Sequence, residues 1–291
     1  MRSLLMGAAL AGALFVVGCD ADDVTGPGAS MEASAYGTDR AAAAEAGRIV
    51  FMTWNVFVGA PIEDAVNVEP SEIPFAAAAV WAEIQASDFA GRAASIAAQV
   101  AKHRPHFLAL NEVTTFWSQT PSDFDVGTFD PGAPATTVAL DFEAILLAAL
   151  ADRGLEYVVA VRADNFQAEL PIYDESSPNY LTDLRLQDHD LLLVRSDVAV
   201  SASTTQNFSA YPTLFGIPQL RSLSYVDATV DGTSLRVAVT HLEPADTSLV
   251  VVPELEYVQR LQGTEVRNVL GAGPVVVMGD FNSDAYGSST A

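Results

Sequence analysis

The stretch that most constrains the fold lies near the end of the chain, at residues 273–282. Its run of valines predicts a buried β-strand that stops at Gly279. Asp280 and Asn282 follow two residues apart, so they face the same side if the strand continues through them. Open α/β folds keep their sites at the carboxyl ends of strands. The stretch therefore predicts either a capped turn or a carboxylate and an amide aimed into a cleft, suited to Mg²⁺ and a phosphate oxygen.

Three other predicted strands also end in polar residues. Asn55 ends the strand at 49–56, Glu112 follows the apolar run at 107–110, and His241 ends the strand at 237–241. Taken singly, each has an ordinary interpretation: a turn residue, an exposed carboxylate or a structural histidine. Because all three follow predicted strands, the alternative interpretation is that they belong to one functional site.

Two further positions carry charge at strand boundaries. Asp188 and Asp190 lead into the apolar strand at 191–194, and His189 lies between them. Adjacent strand residues face opposite sides, so these three side chains cannot chelate one ion together. Arg221 precedes a hairpin whose turn is predicted at Asp231 by the Asp-Gly pair. A surface position and a phosphate-binding position are equally open for this arginine.

Taken in order, these strand ends resemble the endonuclease/exonuclease/phosphatase superfamily, in particular its deoxyribonuclease-like members. The residues that carry the resemblance are Thr53-Trp54-Asn55, Asn111-Glu112, Thr240-His241-Leu242 and Gly279-Asp280-Phe281-Asn282. The resemblance runs from about residue 48 to 291. It implies an α/β fold, a four-layer sandwich of two mixed β-sheets flanked by helices.

The resemblance also implies roles for the strand-end residues. Glu112 is the main metal ligand, with Asn55 beside it, and the metal is Mg²⁺, with Mn²⁺ or Ca²⁺ as alternatives. Asp280 orients or deprotonates the attacking water, and Asn282 binds a phosphate oxygen. His241 acts near the scissile phosphate.

Two supporting roles follow from the same resemblance. An acidic residue leading into the strand at 191–194 holds the histidine by a hydrogen bond, and Asp188 is the matching position, with Asp190 as the other candidate. Arg221 reaches the substrate phosphate. Asn111 stands where the family has Gln, a conservative difference that leaves the neighbouring Glu112 in place.

The function so implied is Mg²⁺-dependent hydrolysis of a phosphate ester. The chain has 14 Lys and Arg against 37 Asp and Glu and a formal net charge of -23. Such a charge disfavours non-specific binding of nucleic acid. We therefore expect a phosphodiesterase acting on a small phosphodiester or lipid head group, with a nucleotide or nucleic acid left open.

An alternative in another class is a catalytically inactive, lipid-anchored binding module or a truncated fragment of the enzyme. Family members continue past Gly-Asp-Phe-Asn to an Asp-His element whose His contacts the phosphate, and no such pair follows residue 282. We therefore expect a domain at 48–291 that is incomplete at its C-terminus, lacks the last strands of its second sheet, and is poorly stable and weakly active.

The first residues predict a targeting signal rather than part of the folded domain. Residues 1–19 combine a positive start, an apolar run and Val16-Val17-Gly18-Cys19, which looks like a bacterial lipobox. Cys19 is the single cysteine, so an internal disulfide is excluded. We expect a lipid anchor at Cys19, a flexible tether at 20–47, and a monomer without a protein partner. The location is then the cell envelope, facing the periplasm or exterior, with secretion if Cys19 is unmodified.

Between these strands the sequence predicts helices and irregular segments. Helical periodicity and capping residues predict helices at about 71–85, 88–103, 138–153 and 253–270. Residues 114–134 are rich in Asp, Gly, Pro and Phe, and we expect a long loop there that forms part of the rim of the site and helps to set the substrate. Residues 165–182 predict a second irregular insert, which the family resemblance places over the site.

Overall fold

The computed structural model describes residues 47–214, 217–244 and 255–283. The predicted signal peptide, the lipidation site at Cys19 and all but the last residue of the predicted tether lie outside the described residues. No helix among the described residues is both long enough and apolar enough to cross a bilayer.

The described residues form two mixed β-sheets. The first sheet has the order β1-β2-β5-β4, with β3 paired to the far end of β2. Its strands are β1 (Phe51–Asn55), β2 (Phe107–Gln119), β3 (Thr137–Asp141), β4 (Tyr157–Tyr173) and β5 (Leu181–Arg195). The second sheet has the order β11-β10-β9-β6. Its strands are β6 (Ala199–Asn207), β9 (Ser222–Val230), β10 (Thr233–His241) and β11 (Val275–Asp280), and a short ribbon separate from it contains β7 (Thr213–Leu214) and β8 (Ile217–Pro218).

Four helices cover the outer faces of the sheets. They are α1 (Ile73–Ala86), α2 (Phe89–His103), α3 (Phe142–Ala151) and α4 (Leu255–Leu270). The first three pack on the first sheet in one apolar cluster, and α4 packs on the second sheet in another. A third cluster, which includes Phe107, Leu192, Val226 and Val239, lies between the sheets. The described residues therefore form a four-layer α/β sandwich, as the resemblance implied.

Local signals predicted several boundaries correctly. Asp88 caps α2 by accepting a hydrogen bond from the Gly91 amide at 3.1 Å. Asp231 and Gly232 both have positive φ and form the turn between β9 and β10. This geometry matches the right-handed twist of the strands and is easiest for an Asp-Gly pair.

Three secondary-structure predictions were wrong. The predicted loop at 114–134 begins instead with strand, because β2 continues through Gln119. The predicted irregular insert at 165–182 is mostly the end of the β4–β5 hairpin, where each strand satisfies the backbone of the other. Residues 137–141 are strand rather than helix, because they pair with β2. Asp141 then caps α3 by accepting a bond from the Ala144 amide.

Gly279 occupies a position in the second sheet that has no room for a side chain. Its φ is 130°, and a Cβ added there would lie 1.9 Å from the carbonyl oxygen of Thr240 in the neighbouring strand. A side chain would push β11 away from β10 at the point where Asp280 enters the site.

We expect Gly279→Ala to lower the free energy of unfolding by about 3 kcal/mol or more, from left-handed strain and overpacking together. Denaturant unfolding followed by circular dichroism measures this. Gly263→Ala, within α4 and with no atom near its added Cβ, is the control and should be neutral or slightly stabilising. Equal midpoints for the two variants would contradict the prediction.

Candidate active site

Two pairs of parallel strands bring polar residues to the same edge of the sandwich. In the first sheet β1 runs parallel to β2, with Asn55 opposite Asn111. In the second sheet β10 runs parallel to β11, with His241 opposite Asp280. The carboxyl ends of β1, β10 and β11 and the middle of β2 thus bring polar side chains from both sheets into one cleft.

The amide of Asn55 joins the two sheets. Its Nδ2 donates to Oε1 of Glu112 at 2.7 Å and to Oδ2 of Asp280 at 2.9 Å. The Asp280 carboxylate comes from the second sheet and the other two side chains from the first. Three predicted site residues that are far apart in sequence are therefore in direct contact.

Glu112 reaches this position through a β-bulge. The register of β2 against β5 shifts between Leu110 and Val113, and Glu112 has a positive φ of 59°. A bulge turns a side chain out of the regular alternation. The second carboxylate oxygen of Glu112 accepts a hydrogen bond from the Val58 amide at 3.0 Å, so both its oxygens are held.

Asn111 is a central residue of the site that was not predicted from the sequence. It is fully buried. Its Nδ2 donates to Oδ1 of Asp190 at 2.8 Å and to the carbonyl of Thr240 at 3.1 Å, and its Oδ1 accepts from the Asp280 amide at 2.9 Å. One amide thus connects β2, β5, β10 and β11. A polar residue inside an apolar strand was the signal that could have identified it.

His241 is buried beneath the cleft, and its ring is held by Arg221. Nη1 of Arg221 lies 2.8 Å from Nδ1 of His241. Because a guanidinium only donates, Nδ1 is the acceptor and Nε2 carries the proton. Burial and then the charge of Arg221 keep the pKa of His241 well below its usual value. The neutral ring therefore presents an N–H donor at Nε2.

Arg221 in turn is held by acidic groups. Its Nε donates to Oε2 of Glu243 at 3.0 Å, and Nη1 lies 3.8 Å from Oδ2 of Asp188. Burial opposes the charged guanidinium, but these two carboxylates outweigh burial and raise the pKa of Arg221. Glu243 was not predicted from the sequence, although it follows the Thr-His-Leu motif directly.

Asp188 does not occupy the predicted place beside the histidine. Among the contacts of the described residues, Arg221 stands between Asp188 and His241, so the expected direct hydrogen bond is replaced by a contact through the guanidinium. Asp188 Oδ2 instead accepts from Asn165 Nδ2 at 3.3 Å. Asp190, the other candidate, bonds to Asn111 rather than to the histidine.

Asp188 and Asp190 form a buried acidic pair. Burial, and then the charge of Asp190, raise the pKa of Asp188 to about 7. Burial likewise raises the pKa of Asp190 to about 6, against the hydrogen bonds that it accepts. The folded protein therefore binds protons here that the unfolded chain releases near pH 4.

This pair predicts a pH dependence of stability. Because the folded-state pKa values are raised, the contribution of the pair is fully present below about pH 4 and is lost as the pH rises toward 7. We expect the stability of Asp188→Asn relative to the parent to improve from pH 5 to pH 8, by up to about 1.4 kcal/mol per pH unit while the proton is being lost. Denaturant midpoints at the two pH values measure it. Exposed Asp152→Asn is the control, and a pH-independent difference for Asp188→Asn would contradict the prediction.

Asn282 lies beside the histidine strand. Its Nδ2 donates to the carbonyl of Leu242 at 2.8 Å, and its amide donates to Oδ1 of Asp280 at 2.8 Å. Its φ is 48°, which asparagine tolerates better than most residues. One of the two N–H groups on Nδ2 is used by the protein, and the second can serve a phosphate oxygen.

Two buried glutamines of α4 hold the loops that carry these residues. Gln259 Nε2 donates to the carbonyls of Phe281 and Asn282, and Gln262 Oε1 accepts from the Glu243 amide. They lie three residues apart, on one face of the helix. Neither glutamine was predicted from the sequence, because a polar residue of a helix is usually exposed.

The site fits a hard cation with few protein ligands. No group of three or more His, Cys, Asp or Glu side chains converges within the described residues. Glu112 and Asp280 nevertheless present carboxylate oxygens to a single small group, the amide nitrogen of Asn55. Mg²⁺ is commonly bound by one or two carboxylates, with waters and substrate phosphate completing the shell. Glu112 and Asp280 are therefore the residues that would hold it, beside Asn55, whose amide oxygen accepts a hydrogen bond from the Phe57 amide at 2.9 Å.

Solved structures of several related proteins resemble this chain. An endonuclease/exonuclease/phosphatase from Beutenbergia cavernae DSM 12333 is 19% identical, with a TM-score of 0.43, over 80% of this chain and 47% of its own. TDP2 from C. elegans is 15% identical, with a TM-score of 0.41, over 88% and 56%. A family protein from Leptotrichia buccalis C-1013-b is 12% identical, with a TM-score of 0.45, over 83% and 70%. The chain thus spans about half the length of the first two.

A search of curated protein sequences found no match. The sequence model of the Endonuclease/Exonuclease/phosphatase family matches residues 52–290. This match covers most of the chain and includes all four strand ends that form the cleft. The chain therefore belongs to the endonuclease/exonuclease/phosphatase family.

Proposed function

We propose that this chain hydrolyses a phosphodiester in a reaction that depends on Mg²⁺, with Mn²⁺ or Ca²⁺ as alternatives. The observation that carries the proposal is the contact of Asn55 with both Glu112 and Asp280 across the two sheets. It gathers the oxygen ligands of a hard cation next to the donors of His241 and Arg221. Bound there, the cation supplies charge stabilisation for the phosphoryl and leaving oxygens.

Side chains of the site activate the water and bind the phosphate oxygens. Asp280 accepts a hydrogen bond from the attacking water and orients or deprotonates it. His241, neutral and protonated on Nε2, donates to a phosphoryl oxygen whose negative charge grows in the transition state. The second N–H of Asn282 and Nη2 of Arg221 bind phosphate oxygens.

Arg221 also acts as a positioning residue. By donating to Nδ1 of His241 it selects the tautomer that carries the proton on Nε2. Glu243 and Asp188 hold the guanidinium in that place. The role predicted for Asp188 is thereby retained in an indirect form.

The test is turnover of bis-p-nitrophenyl phosphate with Mg²⁺, Mn²⁺ or Ca²⁺ and with a chelator. We expect release of p-nitrophenol that the chelator abolishes and added Mg²⁺ restores. Turnover that survives chelation would contradict the metal dependence. A folded chain that binds Mg²⁺ without turnover would favour the alternative function, a binding module.

The proposal includes an anchored location. The Val16-Val17-Gly18-Cys19 motif supports lipidation of Cys19 and attachment to the bacterial cell envelope. We expect the chain expressed in a bacterium to incorporate radiolabelled palmitate and to pellet with membranes, and Cys19→Ser to do neither. Equal labelling of the two would contradict the anchor, and the protein would then be secreted.

A further inference from the structure

An apolar groove begins at the active site and runs away from it. It is a cavity of 340 Å³, within the range of about 300–1,000 Å³ typical of small-molecule sites. Arg221, Glu243 and Pro244 line one end. Since Arg221 holds the ring of His241, this end of the groove is one side chain away from the proposed phosphate position.

One wall of the groove is the outer face of the β4–β5 hairpin. Alternate residues of a strand share a face, and those of β4 and β5 that line the groove are Phe166, Ala168, Leu170, Ile172, Leu184 and Leu186. From Phe166 to Ile172 this wall extends about 20 Å. The groove is therefore long in the direction of the strand.

Helix α1 forms the opposite wall. Its lining residues recur at helical spacing, at Ala77, Val80, Trp81 and Ile84. Trp81 packs against Phe116 of β2, with ring centroids 5.1 Å apart. Side chains held in this way form a preformed apolar slot rather than a loose surface.

The charges around the groove limit what can enter it. Among the described side chains that line it, Arg221 alone is cationic, and Glu63 and Glu243 are acidic. A nucleic-acid strand needs cations for several successive phosphates. The groove offers one cation at one end and apolar wall beyond, so it fits a ligand with a single phosphate and an apolar arm.

We propose that the groove binds an aliphatic chain esterified to the substrate phosphate. This inference rests on the proposed function and narrows it: the substrate is a single phosphodiester with one lipid-like arm. The phosphate lies at Arg221 and His241, and the arm extends between α1 and the β4–β5 hairpin. The walls contribute by removing methylene groups from water.

The experiment compares p-nitrophenyl phosphodiesters whose second ester group is methyl, butyl or octyl, on the full-length chain with Mg²⁺. We expect kcat/KM to rise with each methylene and to be at least about 100-fold higher for octyl than for methyl. Binding of methylphosphonate and octylphosphonate, which are not hydrolysed, is measured in parallel by calorimetry. Single-stranded DNA is included as a competing substrate.

The variants test the position of the arm. Ala168→Phe places a ring in the groove and should reduce the octyl-to-methyl ratio about tenfold or more. Val158 lies on the same strand, at an exposed position outside the groove. Val158→Phe should therefore leave the octyl-to-methyl ratio of kcat/KM unchanged. Thermal midpoints of both variants verify that they are folded, and the chain-length series on the parent needs no variant.

The outcomes separate the two proposals. Turnover of all three esters at equal rates, or preferred turnover of DNA, would overturn the proposal that the groove binds an aliphatic chain. It would leave the proposed hydrolase activity standing. If octylphosphonate binds more tightly than methylphosphonate and no ester is turned over, the result supports an aliphatic chain in the groove. The same result overturns the proposed hydrolase activity. Absence of both turnover and chain-length-dependent binding overturns both.

Discussion

Glu112→Gln is expected to lower kcat/KM for phosphodiester hydrolysis by about 10³-fold or more. Glutamine retains an oxygen that can accept from Val58 and a side chain that reaches Asn55, so the bulge at this position can persist. The variant loses the negative charge that attracts a cation. The loss should therefore appear in catalysis and metal affinity rather than in folding.

The measurement is kcat/KM for bis-p-nitrophenyl phosphate over a range of Mg²⁺ concentrations, with unfolding midpoints in chelator. We expect the Mg²⁺ requirement of any residual turnover to move to higher concentration. Glu83→Gln, at an exposed position of α1, is the control and should match the parent. Turnover of Glu112→Gln within about tenfold of the parent at saturating Mg²⁺ would remove Glu112 from the site.

His241→Ala is expected to lower kcat by about 10²- to 10³-fold, because it removes a positioned donor to the phosphoryl oxygen. Alanine also leaves the Nη1 group of Arg221 without the acceptor it has on Nδ1. If the histidine acts as a neutral donor, the pH profile of the parent should show no ionisation of this ring near neutral pH. The low pKa of His241, caused by burial and by Arg221, agrees with this expectation.

Two comparisons distinguish a catalytic from a structural effect of His241. His103→Ala removes an exposed histidine at the end of α2 and should retain parental turnover. His241→Asn keeps an amide donor and should recover part of the lost rate. If both substitutions at 241 lowered stability and catalysis together, with no recovery by asparagine, a structural role would replace the catalytic one.

Several strands of this protein could be predicted because a buried strand appears in the sequence as a run of apolar residues. The leucines at 191–193 of β5 are fully buried. The valines of β11, which is an edge strand of the described sheet, are half-buried and pack alternately on the cluster between the sheets and on the cluster with α4. Their polar ends were equally visible, so Asn55, Glu112, His241 and Asp280 could be named as candidates from order and type. The structure brings the first two together with Asp280.

Long-range pairing was harder to predict. Residues 165–173 contain polar residues and a proline, and were expected to be irregular. Residues 167–173 form strand because they pair with residues 181–187 of β5, beside the hairpin turn. β-Propensity depends on a residue and its neighbours in sequence, whereas the hydrogen bonds of a sheet depend on the partner strand.

The sequence by itself determined which strands carry the chemistry and which residue types they present, since these follow from local periodicity. The layers of the fold were implied by the resemblance of its motifs to the family. Only the tertiary structure decided the contacts: the bulge at Glu112, the Asn111 amide that joins both sheets, and Arg221 in the place expected for Asp188. The reason is that a hydrogen bond depends on positions within a few tenths of an ångström. Those positions are set by how two sheets and α4 pack together, and no single segment encodes them.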